Sequence, residues 1–394
     1  MMKKTRRDFI KHTGLAGLAV GTNPIQKTLD EIISGSSPEN KISFISPIDG
    51  DMLNDYDGII KDGFLITKVK LRAPSNRKIK VNGMEAKFED GIYSADINLK
   101  NYKNVIEVTD PGSGEKETIN VFWLKHVVNN YRLSLDDNIW FLKDISKNAG
   151  KYKSIFENAY LNFLKQVHDT YGTKIHLNLF YQTEGFNLSQ MTDKYKHEWK
   201  ENAGWLRLSF HALQEFPDRI YIHAGYNEVK KDCEMVKEQI RRFAGEELLD
   251  PVTTLHWGEA TVEGCRALRD SGYTVLAGYF NFDGPDTVSY YLDEEKRHHV
   301  NKRFIWKDNV EGIIFSRMAL VINTLKLEQI LPYLDSLRSD SHKPAYADLM
   351  IHEQYFHPDY KAYQPDFRQK VLTSVKWAAD NGYKPAFLSE CVFG

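Results

Sequence analysis

The sequence predicts a multidomain protein, an all-β sandwich over residues 41–125 followed by a β/α barrel over 129–394, with residues 1–35 standing outside the fold. Three observations carry this. Residues 41–124 hold short alternating runs separated by Asn-Gly and Asp-Gly pairs, which form tight turns. From Asn129 onward, apolar runs of strand length alternate with stripes of helical period, the pattern of a parallel sheet. No glycine-rich phosphate loop follows the first of those strands, which favours a barrel over a nucleotide-binding sheet. With 394 residues, 42% hydrophobic and 27% charged, the chain can bury the cores of two or three domains.

The formal net charge of −2 conceals an asymmetry. Lys3, Lys4, Arg6, Arg7 and Lys11 against Asp8 give the first eleven residues +4, leaving −6 for the rest, so nucleic acid is not an expected partner. Thr5-Arg6-Arg7-Asp8-Phe9-Ile10-Lys11, followed by the mild apolar run Thr13–Gly21, has the charged and hydrophobic regions of an export signal and resembles a twin-arginine signal. A basic amphipathic surface helix is the alternative reading; the run is too short to span a bilayer. No Cys follows it, so the expected location is periplasmic or secreted, without stable membrane insertion after signal removal. Cys233, Cys265 and Cys391 lack metal-ligand spacing and are expected as buried thiols.

A polar linker over residues 36–41 leads into strands at Ile42/Phe44, Val69/Leu71, Ile79/Val81, Tyr93/Ala95/Ile97, Val105/Ile106/Val108 and Val121. Short strands at this spacing suggest a small sandwich. Val81-Asn82-Gly83 through Gly91-Ile92-Tyr93, and then Asn104–Val108, resemble the immunoglobulin-like modules attached to many exported carbohydrate-active enzymes. That resemblance implies a spacer or a weak glycan-contacting domain.

Beyond Asn129, helical stripes run through Phe156, Tyr160, Phe163 and Val167, through Val229, Cys233, Val236, Ile240 and Phe243, and through Leu327, Ile330, Leu331 and Leu334. Strands are expected at Ile175–Phe180, Thr253–His256, Tyr273–Ala277, Gly312–Phe315, Ala347–Ile351 and Ala386–Leu388. The first strand of the region, Tyr131–Asn138, ends abruptly in Asp136 and Asp137. Neighbours in an extended chain point to opposite faces, so one acid can hold a metal while the other takes a proton; an Asp-Asp-Asn turn is the alternative. Barrels carry their chemistry at the C-terminal ends of strands. The polar residues expected there are Asp136, Asp137, His211, His256, Glu259, His352 and Glu353, a set rich in metal-ligand and acid/base types. Trp257, the Tyr279–Asp283 run and Tyr355-Phe356 follow predicted strands, where rings stack on pyranose faces or pack into the core. Arg297-His298-His299 reads as a solvated loop.

Residues from about 129 to 394 resemble the NodB-type polysaccharide deacetylases, through Ser134-Leu135-Asp136-Asp137-Asn138, which matches the motif ending the first strand of that family. The resemblance implies a deformed (β/α)7 barrel and a divalent metal, zinc or similar, with Asp136 as general base and Asp137 as a ligand. The next family motif, His-x-x-x-His, is met by His211 in Ser209-Phe210-His211-Ala212-Leu213-Gln214-Glu215, with Glu215 where the second histidine is expected. The remaining ligand is therefore Glu215 itself, His223 or His256. Leu349-Met350-Ile351-His352 is similar to the last motif and implies His352 as general acid, with Glu353 beside it favouring the imidazolium. The Arg-x-Pro segment that orients the base has no counterpart; Thr254–Glu259 occupies its place in chain order.

The implied activity is metal-dependent deacetylation of an acetylated amino sugar or polysaccharide by an exported hydrolase, with Trp257, Glu259, Asp283, Glu353 and Tyr355 contacting the carbohydrate. Two other readings stay open. A metal-free glycoside hydrolase would pair carboxylates among Asp137, Glu259 and Glu353. A catalytically inactive glycan-binding barrel fits the altered His-x-x-x-Glu.

Overall fold

The computed structural model describes residues 41–280, 289–340 and 343–393, so the expected export signal and Asp283 lie outside the described residues. These residues divide into two compact units, 41–126 with Phe393, and 127–392. Among the described residues no helix is long and apolar enough to cross a membrane.

The first unit is built from β1 (Ser43–Ser46), β2 (Met52–Leu53), β3 (Ile59–Lys61), β4 (Phe64–Arg72), β5 (Lys80–Val81), β6 (Met84–Glu85), β7 (Lys87–Glu89), β8 (Ile92–Leu99), β9 (Lys103–Asp110) and β10 (Glu115–Trp123). One sheet runs β1-β4-β8-β7 with β3 on β4; the other runs β2-β10-β9-β5-β6. Period-2 patterning explains the layering: β4 buries Leu65, Val69 and Leu71 and exposes Lys68, Lys70 and Arg72. Those leucines and Val69 share one apolar core with Ile106, Val108 and Val121 of the second sheet. Asn82 and Asp90 take left-handed conformations before Gly83 and Gly91, so the expected tight turns form there.

The second unit mixes α and β. Its strands are β11 (Asn130–Asn138), β12 (Ile175–Phe180), β13 (Gln182–Thr183), β14 (Phe186–Asn187), β15 (Leu206–Ala212), β16 (Val252–Thr253), β17 (Val275–Gly278), β18 (Ile305–Asp308), β19 (Ile313–Arg317), β20 (Leu320–Val321), β21 (Tyr346–His352) and β22 (Lys384–Pro385). Its helices are α1 (Trp140–Lys147), α2 (Ala159–Tyr171), α3 (Lys196–Glu201), α4 (Tyr226–Phe243), α5 (Val262–Asp270), α6 (Glu294–Arg303), α7 (Leu327–Ser339), α8 (Phe367–Asp380) and α9 (Leu388–Val392). One sheet is ordered β15-β12-β11-β21-β20 with β22 on β11, and the other β16-β17-β19-β18. All of the first and the β16-β17-β19 core of the second are parallel. Where the ladder lapses between the sheets, Ser209 and Thr253 hydroxyls donate to the Val252 and Phe210 carbonyls and tie β15 to β16. Among the described residues the strands of this unit thus form two larger sheets and the β13-β14 pair rather than one continuous hydrogen-bonded ring.

Element by element, several expectations shift. Phe156 lies in a 3-10 turn before α2, because the Asn158 side chain accepts from the N–H groups of Tyr160 and Leu161 and starts the helix there. The strand expected over Thr253–His256 stops at Thr253, since Trp257 turns the chain with φ of +66°. Ala386–Leu388 is not a strand; Lys384–Pro385 pairs with β11 and Leu388 opens α9. Leu206–Ala212, absent from the expected strands, pairs with β12 and carries His211. The three cysteines are free and buried.

On β11, β12, β15 and β21 one face is apolar, with Leu133, Leu135, Leu177, Phe210 and Leu349 in the main core. The alternate positions are polar and equally buried: Arg132, Ser134, Asp136, His176, Asn178, Ser209, His211, Asp348 and His352.

Candidate metal centre

Those polar positions stack in two tiers. In the tier nearer the strand starts, Arg132 holds Asp348 with two bonds, Nε to Oδ1 at 3.1 Å and Nη2 to Oδ2 at 2.7 Å, and Ser134 donates to the same carboxylate at 2.9 Å. Arg132 Nη1 donates to His176 Nδ1 at 2.6 Å; His176 Nε2 meets Ser209 Oγ at 2.7 Å, and Ser209 donates onward to the Val252 carbonyl at 2.8 Å. Burial, reinforced by Arg132 and Arg207, holds the His176 pKa well below the usual histidine value and keeps the ring neutral. This tier is closed: each donor has an acceptor.

The second tier lies at the strand ends and begins with two irregularities. Pairing between β11 and β12 steps from Leu135↔Leu177 to Asn138↔Leu179, which places one extra residue in β11 at Asp136-Asp137. Pairing between β12 and β15 steps from Leu179↔Phe210 to Phe180↔Ala212, which places one extra residue in β15 at His211. Each is a β-bulge, a device that re-aims side chains. Asp137 takes φ of +63°, a conformation that Asp tolerates better than most residues. The expected alternation of the two acids to opposite faces is therefore lost, and both act on His211. Burial opposes a charged His211, but the Asp136 and Asp137 carboxylates, with the Thr254 carbonyl, outweigh it and raise its pKa above the ordinary value. Asn178 donates to Asp136 Oδ1 at 2.8 Å and fixes that carboxylate.

Asp137, His211 and His256, all buried, form a three-residue group able to hold a cation. His211 Nδ1 faces the Thr254 carbonyl, and His256 Nε2 faces the Glu215 carbonyl at 3.2 Å, so each ring donates its N–H outward. The other nitrogens converge on one point: His211 Nε2 and His256 Nδ1 are 3.2 Å apart, and lie 2.9 and 3.1 Å from Asp137 Oδ1. Without an ion, a proton on His211 Nε2, favoured by the two carboxylates, joins that ring to Asp137; a divalent ion bound there would take the proton's place. The spacing of the converging atoms suits adjacent ligands of an ion held at about 2.0–2.2 Å, so the donor set fits zinc or a similar divalent ion. Phe180 packs its ring 5.2 and 5.1 Å from the two imidazoles and walls off that side.

His256, from the turn after β16, thus completes the group, while Glu215 contributes a backbone carbonyl and lies outside it. His223 is exposed and outside it too. His352 pairs with Asp136 in the β11–β21 ladder, so the two side chains rise on the same face. Its Nδ1 meets Asn323 Oδ1 at 2.8 Å, which makes its orienting partner a neutral amide and not the expected Glu353. Glu353 is fully buried and accepts from the backbone N–H groups of Ile139, Trp140 and Phe141, which removes it from substrate contact. Glu259 is clamped by Arg219 through both carboxylate oxygens. Trp257 lies beside His256, rings 6.2 Å apart, and Tyr355 stands edge-on to His352 at 5.9 Å.

Beside the metal group opens a cleft of about 450 Å³ lined by Ile139, Trp140, Phe180, Gln182, Gln214 and Phe216 among others. Asn178, Asn323, Trp140 and Phe216 were not anticipated from the sequence. Asn178 had a legible signal, since His176 and Asn178 alternate with Ile175, Leu177 and Leu179 in one short run. Asn323, in a 3-10 turn after β20, had none.

No protein-family profile matches the sequence, and no curated protein matches it. Among solved structures the chain is similar to Agd3, described as a carbohydrate deacetylase, at 7% identity and a TM-score of 0.37 over 86% of this chain and 68% of that one. It is similar to a protein from Mycobacterium smegmatis described as a polysaccharide deacetylase, at 9% identity and a TM-score of 0.32 over 66% and 93%. A Bacteroides fragilis protein described as a β-galactosidase follows, at 14% identity and a TM-score of 0.28 over 88% and 53%. All three likenesses are low in both measures, and the chemistry of the site rests on its own side chains.

Proposed function

We propose that this chain is a metal-dependent hydrolase that removes an acetyl group from a carbohydrate. The observation that carries the reading is the Asp137–His211–His256 group, whose two imidazoles are locked by backbone carbonyls with their inner nitrogens facing one carboxylate oxygen. A divalent ion held there would supply Lewis-acid polarisation of the acyl carbonyl and acidify an attacking water.

The chain's own groups do the rest. Asp136, aligned by Asn178, takes the proton from the attacking water. His352, on the neighbouring strand and oriented by Asn323, gives a proton to the leaving amine or alcohol from its other ring nitrogen. Burial of both side chains keeps bulk water from competing for those protons. The cleft alongside, with Trp140 and Phe216 as flat apolar surfaces and Gln182 and Gln214 as hydrogen-bonding groups, suits a sugar chain.

A metal-free glycosidase fits less well, because two of its three candidate carboxylates are engaged, Glu259 by Arg219 and Glu353 by backbone N–H groups. To the same reading belong a deformed (β/α)7 barrel for the second unit, an immunoglobulin-like module for the first, and twin-arginine export to the periplasm or exterior.

Acetate release from acetylated amino-sugar oligomers tests the proposal. Wild type should turn over, and Asp136→Asn should lose about 10²–10⁴-fold in kcat. Protein purified without chelator should carry stoichiometric zinc, nickel or cobalt; none after metal soaking would rule the reading out. Equal inactivity of both proteins on a broad glycan panel would favour a glycan binder.

A further inference from the structure

We propose that Glu353 is a positioning residue for the aspartate pair: from the turn after β21, the neighbour of β11, it caps α1 and so fixes the chain that leaves Asp136 and Asp137 at the metal group. The proposal rests on the reading of that group given above.

Helix α1 starts at Trp140, three residues past Asp137 of the bulge. Its first N–H groups need acceptors, and Ser, Thr, Asp or Asn usually supply one from the N-cap position. Here the N-cap is Ile139, whose side chain cannot accept. The preceding residues are Asp136, Asp137 and Asn138, all of capping type; Asp136 accepts from Asn178 and Asp137 meets His211. Asn138 donates to the Leu135 and Asn178 carbonyls at 2.5 and 3.1 Å and accepts from the Tyr160 hydroxyl at 3.0 Å, which pins the bulge on both sides.

The cap comes from 214 residues away in sequence. Glu353 Oε2 accepts from Ile139 N at 2.6 Å and Trp140 N at 3.1 Å, and Oε1 accepts from Phe141 N at 2.6 Å. A full negative charge at a helix N-terminus is favourable, the more so when buried. His357 Nε2 sits 3.0 Å from Oε1, and its ring lies 5.1 Å from that of Trp140, so the carboxylate is itself held in place. Glu353 directly follows His352. One dipeptide therefore orients the two sides of the reaction, His352 across the ladder from Asp136 and Glu353 beneath the chain that leaves Asp137.

Glu353→Gln tests this. It keeps the shape but turns one accepting oxygen into a donor aimed at backbone N–H groups. In folded E353Q, amide exchange at 139–141 should quicken by more than about 10-fold, and zinc affinity should weaken by about 10–100-fold. The loss of kcat/KM should fall in kcat, with KM held. Glu353→Asp, which keeps the charge, should recover part of each loss. A role confined to stability would lower Tm and leave zinc affinity and the kcat-to-KM division unchanged, and that result would overturn the proposal. Should E353Q not fold, His357→Gln replaces it, and zinc affinity there within about twofold of wild type counts against the proposal. Should wild type bind no zinc, the metal reading falls by itself, and exchange at 139–141 then decides the role of Glu353.

Discussion

Arg132, His176, Ser209 and Asp348 lie on the same four strands as Asp136, Asn178, His211 and His352, one or two inward-facing positions closer to the strand starts. Both groups are buried, and both combine histidine with carboxylate. They differ in completeness. The Arg132 tier brings its own cation, and its donors and acceptors close on one another. The Asp137 group brings a carboxylate and two imidazoles directed at a common point, with no arginine or lysine among them. A closed network at regular strand positions specifies structure, whereas an open one at bulged positions asks for a ligand; burial and composition alone would not have separated them.

The largest expected effect comes from opening the closed tier. Asp348→Ala leaves Arg132 buried without its partner and should cost about 3–5 kcal/mol in urea unfolding, whereas replacing both, as Arg132→Met with Asp348→Leu, should lie close to wild type. A mild effect of the single change would mean that the pair is not the internal cation assigned to it. Next come changes to the open group. His256→Ala or Asp137→Asn should lower zinc affinity by more than about 100-fold, beyond what an outer partner costs, with a smaller loss of metal-free stability than Asp348→Ala gives. Loss of metal-free stability by several kcal/mol in either variant would erase the contrast between the tiers.

Smaller again is Asn178→Ala. It should leave zinc titration unchanged while slowing acetate release by about 10–100-fold, as an orienting bond to the proton acceptor is lost. The smallest effect is on pH. His176 is held neutral in the folded state with its pKa depressed, whereas the unfolded chain takes up a proton below about 6.5. The unfolded state then binds more protons, so stability falls as the pH drops below that value, by at most about 1.4 kcal/mol per unit from this residue. Metal-free His176→Gln should show a shallower slope in melts between about pH 6.5 and 5; an unchanged slope would place the acid sensitivity elsewhere.

Much of the site was legible because side-chain period is a local property. Arg132, Ser134 and Asp136 alternate with Leu133 and Leu135, and strand-end His211, His256 and His352 could be collected without coordinates. What escaped depends on partner strands. A bulge exists only relative to the neighbouring ladder, so the turning of Asp136 and Asp137 to one side was hidden in a sequence that reads as plain extension. For the same reason Glu215 stood as a ligand by its spacing from His211, although β15 continues as a strand through Ala212 and no helix brings positions four apart together. Glu353 looked like a substrate contact because its N–H partners lie over two hundred residues away. In the first unit the Asn-Gly and Asp-Gly turns were plain, being set by two adjacent residues.

The route by which His256 enters the group bears on the chain as a polymer. Asp137 and His211 are 74 residues apart, and His211 and His256 a further 45. An ion bound by all three would close two large loops at once and act as a removable cross-link among three distant strand ends. Two histidines four positions apart on one helix would close only one. Because closing a longer loop removes more freedom from the unfolded chain, metal loading here would bear on unfolding as well as on the proposed chemistry. The departure from His-x-x-x-His would then shift part of the site's role from chemistry to chain topology.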